Sequence, residues 1–363
     1  MVPGARWLAV AAVALGVASA PLVTEALPVR ETNISATGLA DRIQGAADLG
    51  WSGEVRSQGS LAVPLAGSTF GGIARLLGEE TRLRVWWRDR ENWRVDRIRT
   101  TGESDLVRDG SLMVRFNYEE NRVRFTPYSA IRLPDDVDVV PSTLAARLLA
   151  GAHPDELSRL PARRVAGRVA PGLRLVPGDA RSTISRVDVW ADASSGLPLR
   201  VAVYGEPRGQ VPILDTELTS LRMGKPGRAK VTFQFSPQLD FSRGVALDEA
   251  AGADKFAPFV PGSVAGLPRQ VRPDFGAVGV YGRGPTAILA VPLRRWVAER
   301  LHDQLACSRD SQDTGSSISL EVGPISVRLV EDGAGFFLLT GTVTPETLDQ
   351  AATDLVRDVR RTR

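Results

Sequence analysis

Cysteine is almost missing from this chain: Cys307 is the only one in 363 residues. No internal disulfide can form, so the hydrophobic core has to hold the fold unaided. The same scarcity excludes a lipid anchor of the lipobox kind, because no cysteine follows the apolar N-terminal segment. Histidine is nearly as rare, with His153 and His302 far apart in the chain. No Gly-x-Ser-x-Gly elbow, His-Glu-x-x-His zinc pattern or phosphate loop occurs, and these are the arrangements that put a nucleophile, a metal or a phosphate in place. Gly282-Arg283-Gly284 precedes an apolar run of strand character and reads as a turn. His153-Pro154-Asp155-Glu156 is an isolated cluster whose carboxylates suit a helix N-terminus. The expectation is a protein that is not an enzyme and carries no cofactor and no metal.

Lysine is scarce too: only Lys225, Lys230 and Lys255 occur. Arginine therefore carries the basic charge, and since guanidinium does not titrate in proteins, the pI reaches 9.3 at a net charge of only +3. Carboxylates interleave with the arginines, as in Arg88-Asp89-Arg90-Glu91 and Arg94-Val95-Asp96-Arg97. A nucleic-acid binder concentrates positive charge on one segment or face, so no nucleic-acid partner is expected. With 43% hydrophobic and 24% charged residues the chain has ordinary globular composition, which excludes disorder throughout.

What is present begins with an address. Arg6 precedes an unbroken apolar run from Trp7 to Ala18, closed by Ala18-Ser19-Ala20. A positive start, an apolar stretch and small residues make an export signal. Pro21 directly follows the small residues and disfavours cleavage there, which moves processing towards Ala26 or leaves a run at the short end of what spans a bilayer, about 17 residues. Residues 1–26 are thus a signal peptide or an N-terminal membrane anchor. The remainder is expected outside the cytoplasm, secreted or held at the outer face of the cytoplasmic membrane.

Ser35 to Leu49 has helical spacing, with Leu39, Ile43 and Ala46 on one face. Strand signals then dominate. Leu83, Val85 and Trp87 alternate with Arg82, Arg84 and Trp86, and Leu112, Val114 and Phe116 alternate with Ser111, Met113 and Arg115. One apolar and one polar face marks an antiparallel sheet covered on one side. Asp109-Gly110 between two such runs is a strong hairpin signal. Pro141–Gly151 and Pro154–Leu160 read as short helices, and Ala229–Phe235 as a strand. Residues 248–273 are rich in Gly, Pro and Ala without periodicity and read as a linker. Beyond it, residues 274–363 alternate strand and helix signals, and Thr344-Pro345 is a helix N-cap followed by proline at the first helical position.

Several stretches, taken in order, carry a resemblance: Thr81-Arg82-Leu83-Arg84-Val85-Trp86-Trp87, Trp93-Arg94-Val95, Asp109-Gly110, Leu175-Val176-Pro177, Val187-Asp188-Val189-Trp190-Ala191-Asp192 and Gly196-Leu197-Pro198-Leu199-Arg200-Val201. Over residues 36–245 the chain resembles the LolA-like lipoprotein-carrier superfamily and, with its extra C-terminal part, the RseB/MucB-type regulators of extracytoplasmic sigma-factor signalling. The resemblance implies an α+β protein: a curved antiparallel β half-barrel covered by helices over 36–245, then a small α+β C-terminal domain. It also implies an apolar cavity between sheet and helices. Its expected lining is Leu83, Val85 and Trp87, then Trp93 and Val95, then Leu112, Val114, Phe116 and Phe125, and, later in the chain, Val187, Val189, Leu199, Val201, Phe233 and Phe235. The ligands implied are lipid or lipoprotein acyl chains. The alternative is a sensor that binds an anti-sigma factor or another membrane protein. Arg82, Arg84, Arg88, Arg163 and Arg164 read either as a solvated convex face or as a patch that meets anionic head groups at a membrane surface.

Overall fold

The alternating runs pair into one open sheet. The computed structural model describes residues 31–62, 71–100, 102–129, 132–205, 209–236, 239–243, 258–259, 261–271, 278–332, 335–358 and 360–361. The export signal and residues 248–257 of the expected linker lie outside these. The strands are β1 (Trp51–Gly59), β2 (Glu80–Asp89), β3 (Asn92–Arg99), β4 (Gly102–Asp109), β5 (Leu112–Asn117), β6 (Arg122–Pro127), β7 (Leu157–Val165), β8 (Arg168–Leu175), β9 (Ile184–Ala191), β10 (Pro198–Gly205), β11 (Leu214–Met223) and β12 (Asp240–Arg243). Their order is β12-β6-β5-β4-β3-β2-β1-β11-β10-β9-β8-β7, with every pair antiparallel except β12 beside β6. Two meanders, β2 to β6 and β7 to β11, are joined through the long-range β1–β11 pair. Gly110 supplies the positive φ of +61° that the β4–β5 turn requires.

The sheet curls without closing. β7 touches β11 although it stands four places away in the order. Two helices fill the hollow, α1 (Ala36–Gly45) and α3 (Pro141–Leu148), while α2 (Gly71–Gly78) lies against β1 and β2. Ser35 caps α1 by accepting from the Gly38 amide at 3.0 Å. Leu39 and Ile43 of α1 and Ala145 of α3 share one cluster with residues of β2, β3, β9 and β10. A 3-10 turn at Asp136–Val139 leads into α3, and the buried Thr216 hydroxyl of β11 donates to Val139 O at 2.6 Å.

Two expected elements differ. Pro154–Glu156 is a single 3-10 turn, and Leu157 onward is strand β7 rather than helix. Pro161 sits in that strand at a register shift between Leu160 and Arg163, which an edge strand tolerates because its outer amides need no partner. Ala229–Phe235 is not a strand: Arg228–Val231 forms the short helix α4, and Thr232 to Ser236 crosses the outer face in irregular conformation.

The C-terminal unit comprises β13 (Pro258–Phe259), β14 (Ser263–Val264), β15 (Leu267–Pro268), β16 (Gly279–Arg283), β17 (Thr286–Leu293), α5 (Arg295–Ala306), β18 (Gln312–Asp313), β19 (Ser317–Val322), β20 (Ile325–Asp332), β21 (Gly335–Gly341), α6 (Pro345–Asp358) and β22 (Arg360–Arg361). Its sheet runs β16-β17-β21-β20-β19-β18. In Phe336-Phe337-Leu338-Leu339 both faces of β21 are apolar, as a strand covered on both sides requires. Phe337 and Leu339 pack with Leu348 and Leu355 of α6. Phe336 and Leu338 pack on the cluster that holds Leu301 and Leu305 of α5. Thr344 caps α6 as its sequence position predicts, accepting from the Thr347 amide at 3.3 Å.

Part of the expected linker belongs to this unit. Val264 and Leu267 are buried with Tyr281 and α6, and the Ala265 amide donates to Asp354 Oδ2 at 2.8 Å. The two units also meet directly. Leu61 from beyond β1 is buried in the α5 cluster. Thr183 donates through its hydroxyl to Pro324 O at 2.5 Å and through its amide to Thr342 O at 3.1 Å. Gly284, at φ +50°, lies so close to Leu148 O that a Cβ there would sit 2.8 Å from it.

Candidate ligand-binding face

The pairing registers assign each side chain to a face. Trp87 pairs with Trp93 across β2 and β3, their rings stacked at 5.8 Å, and Val85 pairs with Val95. These four, with Leu83, Val187, Val189, Leu199 and Val201, form one buried cluster beneath the helices. Nine of the fifteen expected lining residues therefore share the concave face, each at most 8% exposed. The helices rest directly on them: Trp87 Nε1 donates to Ala47 O at 3.1 Å at the end of α1, and Val140 and Ala145 belong to the same cluster.

The other six are elsewhere, which corrects the sequence expectation. Val95 pairs with Leu106, and Leu106 with Arg115. The concave face of β5 therefore carries Met113 and Arg115, while Leu112, Val114 and Phe116 face outward. Val114 and Phe116 are buried on that convex side with Val107, Val123 and Phe233, and Phe125 packs against them. Phe116 meets Phe233 edge to face at 5.7 Å. Leu112 and Phe235 are 36% and 62% exposed. Alternation shows that a strand has an apolar side; the register of its neighbours decides which side that is.

The concave face turns ionic towards β5 and β6. Asp135, Asp136 and Asp138 project from the 3-10 turn into arginines: Arg115 donates to Asp135, Arg97 to Asp136 at 3.2 Å, and Arg132 and Arg147 to Asp138 at 2.6 and 2.8 Å. Burial raises Asp138, but the two guanidiniums outweigh it and hold the carboxyl below its usual range. Burial, and then Asp135, push Asp136 up to about 6. This ionic rim was not foreseen. Its signal was the run Asp135-Asp136-Val137-Asp138, whose arginine partners on β3 and β5 are invisible to local spacing.

A pocket of about 490 Å³ opens at the start of α1, lined by Thr32, Asn33, Ile34, Ser35, Leu39, Arg42, Pro171 and Ala193. None of the expected lining residues reaches it. The expected arginine row is also divided. Arg82 pairs with Glu80 at 2.7 Å, Arg88 donates to Pro226 O at 2.8 Å, and Arg163 stacks on Trp190 at 4.4 Å on the far edge of the sheet. His153 adjoins Glu156, which accepts from its amide at 2.7 Å, and His302 faces Asp313 at 3.2 Å in the C-terminal unit. Cys307 is exposed. Among the described residues, one acidic group, Asp96, Glu103 and Asp105, has the spacing to hold a metal ion, and no helix is long and apolar enough to cross a membrane.

An open, curled antiparallel sheet with helices in its hollow and a C-terminal α+β unit is the fold of MucB. The crystal structure of MucB superposes on this chain with a TM-score of 0.50 at 16% identity, covering 88% of this chain and 96% of MucB. The Pseudomonas aeruginosa MucA/MucB complex gives 0.47 at 16% identity over 87% and 96%. A LolA superfamily protein from Nitrosomonas europaea gives 0.27 at 11% identity, covering 55% of this chain and 98% of its own. No family model matches the sequence, and no curated protein matches it.

Proposed function

We propose that this chain is a non-enzymatic binding protein of the cell envelope, working outside the cytoplasmic membrane and taking an acyl chain of a lipid or lipoprotein between the concave sheet and its helices. One observation carries this reading: the hollow of the open sheet is apolar across nine side chains and is roofed by helices of only 10 and 8 residues. Lifting that roof costs the apolar contacts it makes with the sheet. At about 0.8 kcal/mol per CH₂, one long acyl chain supplies ~10 kcal/mol against that cost and the cost of association.

The test is transfer of a fluorescent diacylated lipopeptide from vesicles to the purified full chain. Saturable one-to-one transfer, absent for the same peptide without acyl groups, is the expected result. A protein that melts normally yet takes up neither would sink the reading.

A second reading rests on the extent of the likeness. The likeness covers 96% of MucB, and a solved MucB is bound to MucA. On this reading the chain is a regulatory sensor that holds an anti-sigma factor or another membrane protein. Stable co-purification with such a partner from detergent-solubilised membranes supports it.

A further inference from the structure

The 3-10 turn Asp136–Val139 runs straight into α3, so whatever strains the turn acts on the roof of the hollow. Its acids are not equally served. Asp138 accepts from Arg132 at 2.6 Å, from Arg147 at 2.8 Å and from the Asp135 amide at 2.7 Å. Asp135 accepts from Arg115 and from the Asp136 amide. Asp136 has a side chain only 1% exposed, and it accepts from Arg97 alone among the described residues, at 3.2 Å. Its Oδ2 is sealed from solvent and accepts no hydrogen bond from a described residue, and Arg97 Nε is sealed and donates none.

A buried carboxylate with one long hydrogen bond is costly to keep ionised. Arg132 and Arg147 are taken up by Asp138, Arg115 of β5 by Asp135, and Arg99 of β3 faces Glu119 at 3.8 Å. That leaves Arg97 of β3 and the exposed Arg75 of α2 to answer Asp136, with Asp135 repelling it from the same turn. Burial and the Asp135 charge outweigh these guanidiniums and push Asp136 up to about 6. Burial also lowers Arg97 from the usual guanidinium range, in spite of Asp136 and with Arg75 and Arg99 adding repulsion. Neither charge of the pair offsets the other's loss of water.

We propose that Asp136 is a charge wedge beneath the roof: ionised, it biases the turn and α3 to lift from the sheet, and protonated, it lets them close. Lifted into water, its carboxyl regains solvation and returns to the ordinary range near about 4. A carboxyl raised in the closed state stabilises that state fully below the open-state value, and the stabilisation is lost as pH rises through the closed-state value. The window is about pH 4 to 6, so at neutral pH the roof stays down against a standing charge penalty. Val140 and Ala145 in the concave cluster and the Thr216 hydroxyl on Val139 O supply the hold. The hollow then opens more readily in a neutral medium than in an acidic one. That consequence for ligand entry rests on the acyl-chain reading; the opening itself does not.

Hydrogen exchange of the full chain, read by mass spectrometry and corrected for intrinsic rates, measures the opening without any ligand. Between about pH 5 and about pH 7.5 the protection of α3 is expected to fall about tenfold or more, since each pKa unit is a factor of about ten. Strand β9 is expected to keep its protection. Asp136→Asn keeps the shape and removes the charge. At the higher pH it is expected to restore the protection that wild type shows at the lower one, to raise the melting temperature and to slow transfer of the fluorescent lipopeptide. Unchanged protection of wild-type α3 across this range overturns the proposal, and that measurement needs no variant. An Asp136→Asn chain that melts lower and exchanges faster at the higher pH overturns it too, because Asp136 is then a tie rather than a wedge. A parallel fall in β9 does the same, since the opening is then global. If exchange switches as expected but no lipopeptide transfers at either pH, the wedge stands and only the acyl-chain reading falls.

Discussion

Glu156 shows how much one carboxylate does when its neighbours are fixed. Its oxygens accept from Arg283 at 2.8 and 2.9 Å, from the Gly178 amide at 2.8 Å and from the His153 amide at 2.7 Å. Burial alone would raise its pKa; the Arg283 hydrogen bonds and the two amides outweigh it and bring it down to about 2. A carboxylate depressed in the folded state stabilises fully above its unfolded pKa and loses that stabilisation as pH falls through the folded one. The window is therefore about pH 5 down to 2, and with solvent screening of the partly exposed Arg283 pair the contribution is on the order of 2 kcal/mol. Glu156→Gln keeps the shape and removes the charge. It should lower stability at pH 7 by about 2 kcal/mol and flatten this acid limb in urea denaturation followed from pH 7 to 2. An unchanged limb would assign the acid sensitivity to other groups. From the sequence Glu156 was readable as a helix-start residue, and the capping contact to His153 agrees with that. Arg283 stands 127 residues away, and no local pattern announces it.

At the scale of the element, β5 separates what alternation reveals from what register decides. The strand's apolar side was legible as Leu112, Val114 and Phe116, but that side is convex here, under Phe233. Val114 is 2% exposed within an aromatic cluster, so Val114→Asp should bury an unpaired charge and cost on the order of 3–5 kcal/mol. Leu112, at the strand end and 36% exposed, should tolerate Leu112→Asp within about 0.5 kcal/mol. Chemical denaturation of the two variants checks this. Equal losses would mean that both side chains are core. Acyl-ligand uptake per folded molecule should be unchanged in either variant, since neither side chain faces the hollow. Elements that turn on local chemistry were readable: the Gly110 turn and the Thr344 cap. Leu157–Leu160 was misread as helix because Pro154 suits a helix start, and only pairing with the neighbouring β8 makes these residues strand.

For the whole molecule, the division into residues 36–245 and 274–363 is a proposal that the contacts between the units make quantitative. The α5 cluster is completed by Leu61 and touched by Leu77 and Ile213 of the half-barrel unit. Glu156–Arg283 and the Thr183 hydrogen bonds add a polar seam. Residues 36–245 expressed alone should still melt cooperatively, because the concave cluster is complete without the C-terminal unit. They should melt below the full chain, because apolar side chains at the seam become exposed. The full chain should unfold in one transition if the seam couples the units. Circular dichroism melts of both proteins decide it, and a fragment without a cooperative transition would remove the division.

The sequence by itself determined the strand-rich plan, the turns and caps, the apolar bed of β2, β3, β9 and β10, and an N-terminus with the pattern of an export signal. Those features depend on residues close together in the chain or on a period of two. Tertiary structure alone decided which way β5 faces, that α1 and α3 close on the hollow, and that Asp135, Asp136 and Asp138 meet arginines. It also placed Asp96 across from Asp105 and built residues 261–271 into the C-terminal unit. Each of these depends on which strands become neighbours, and a one-residue change of register would send the same side chains to the opposite face.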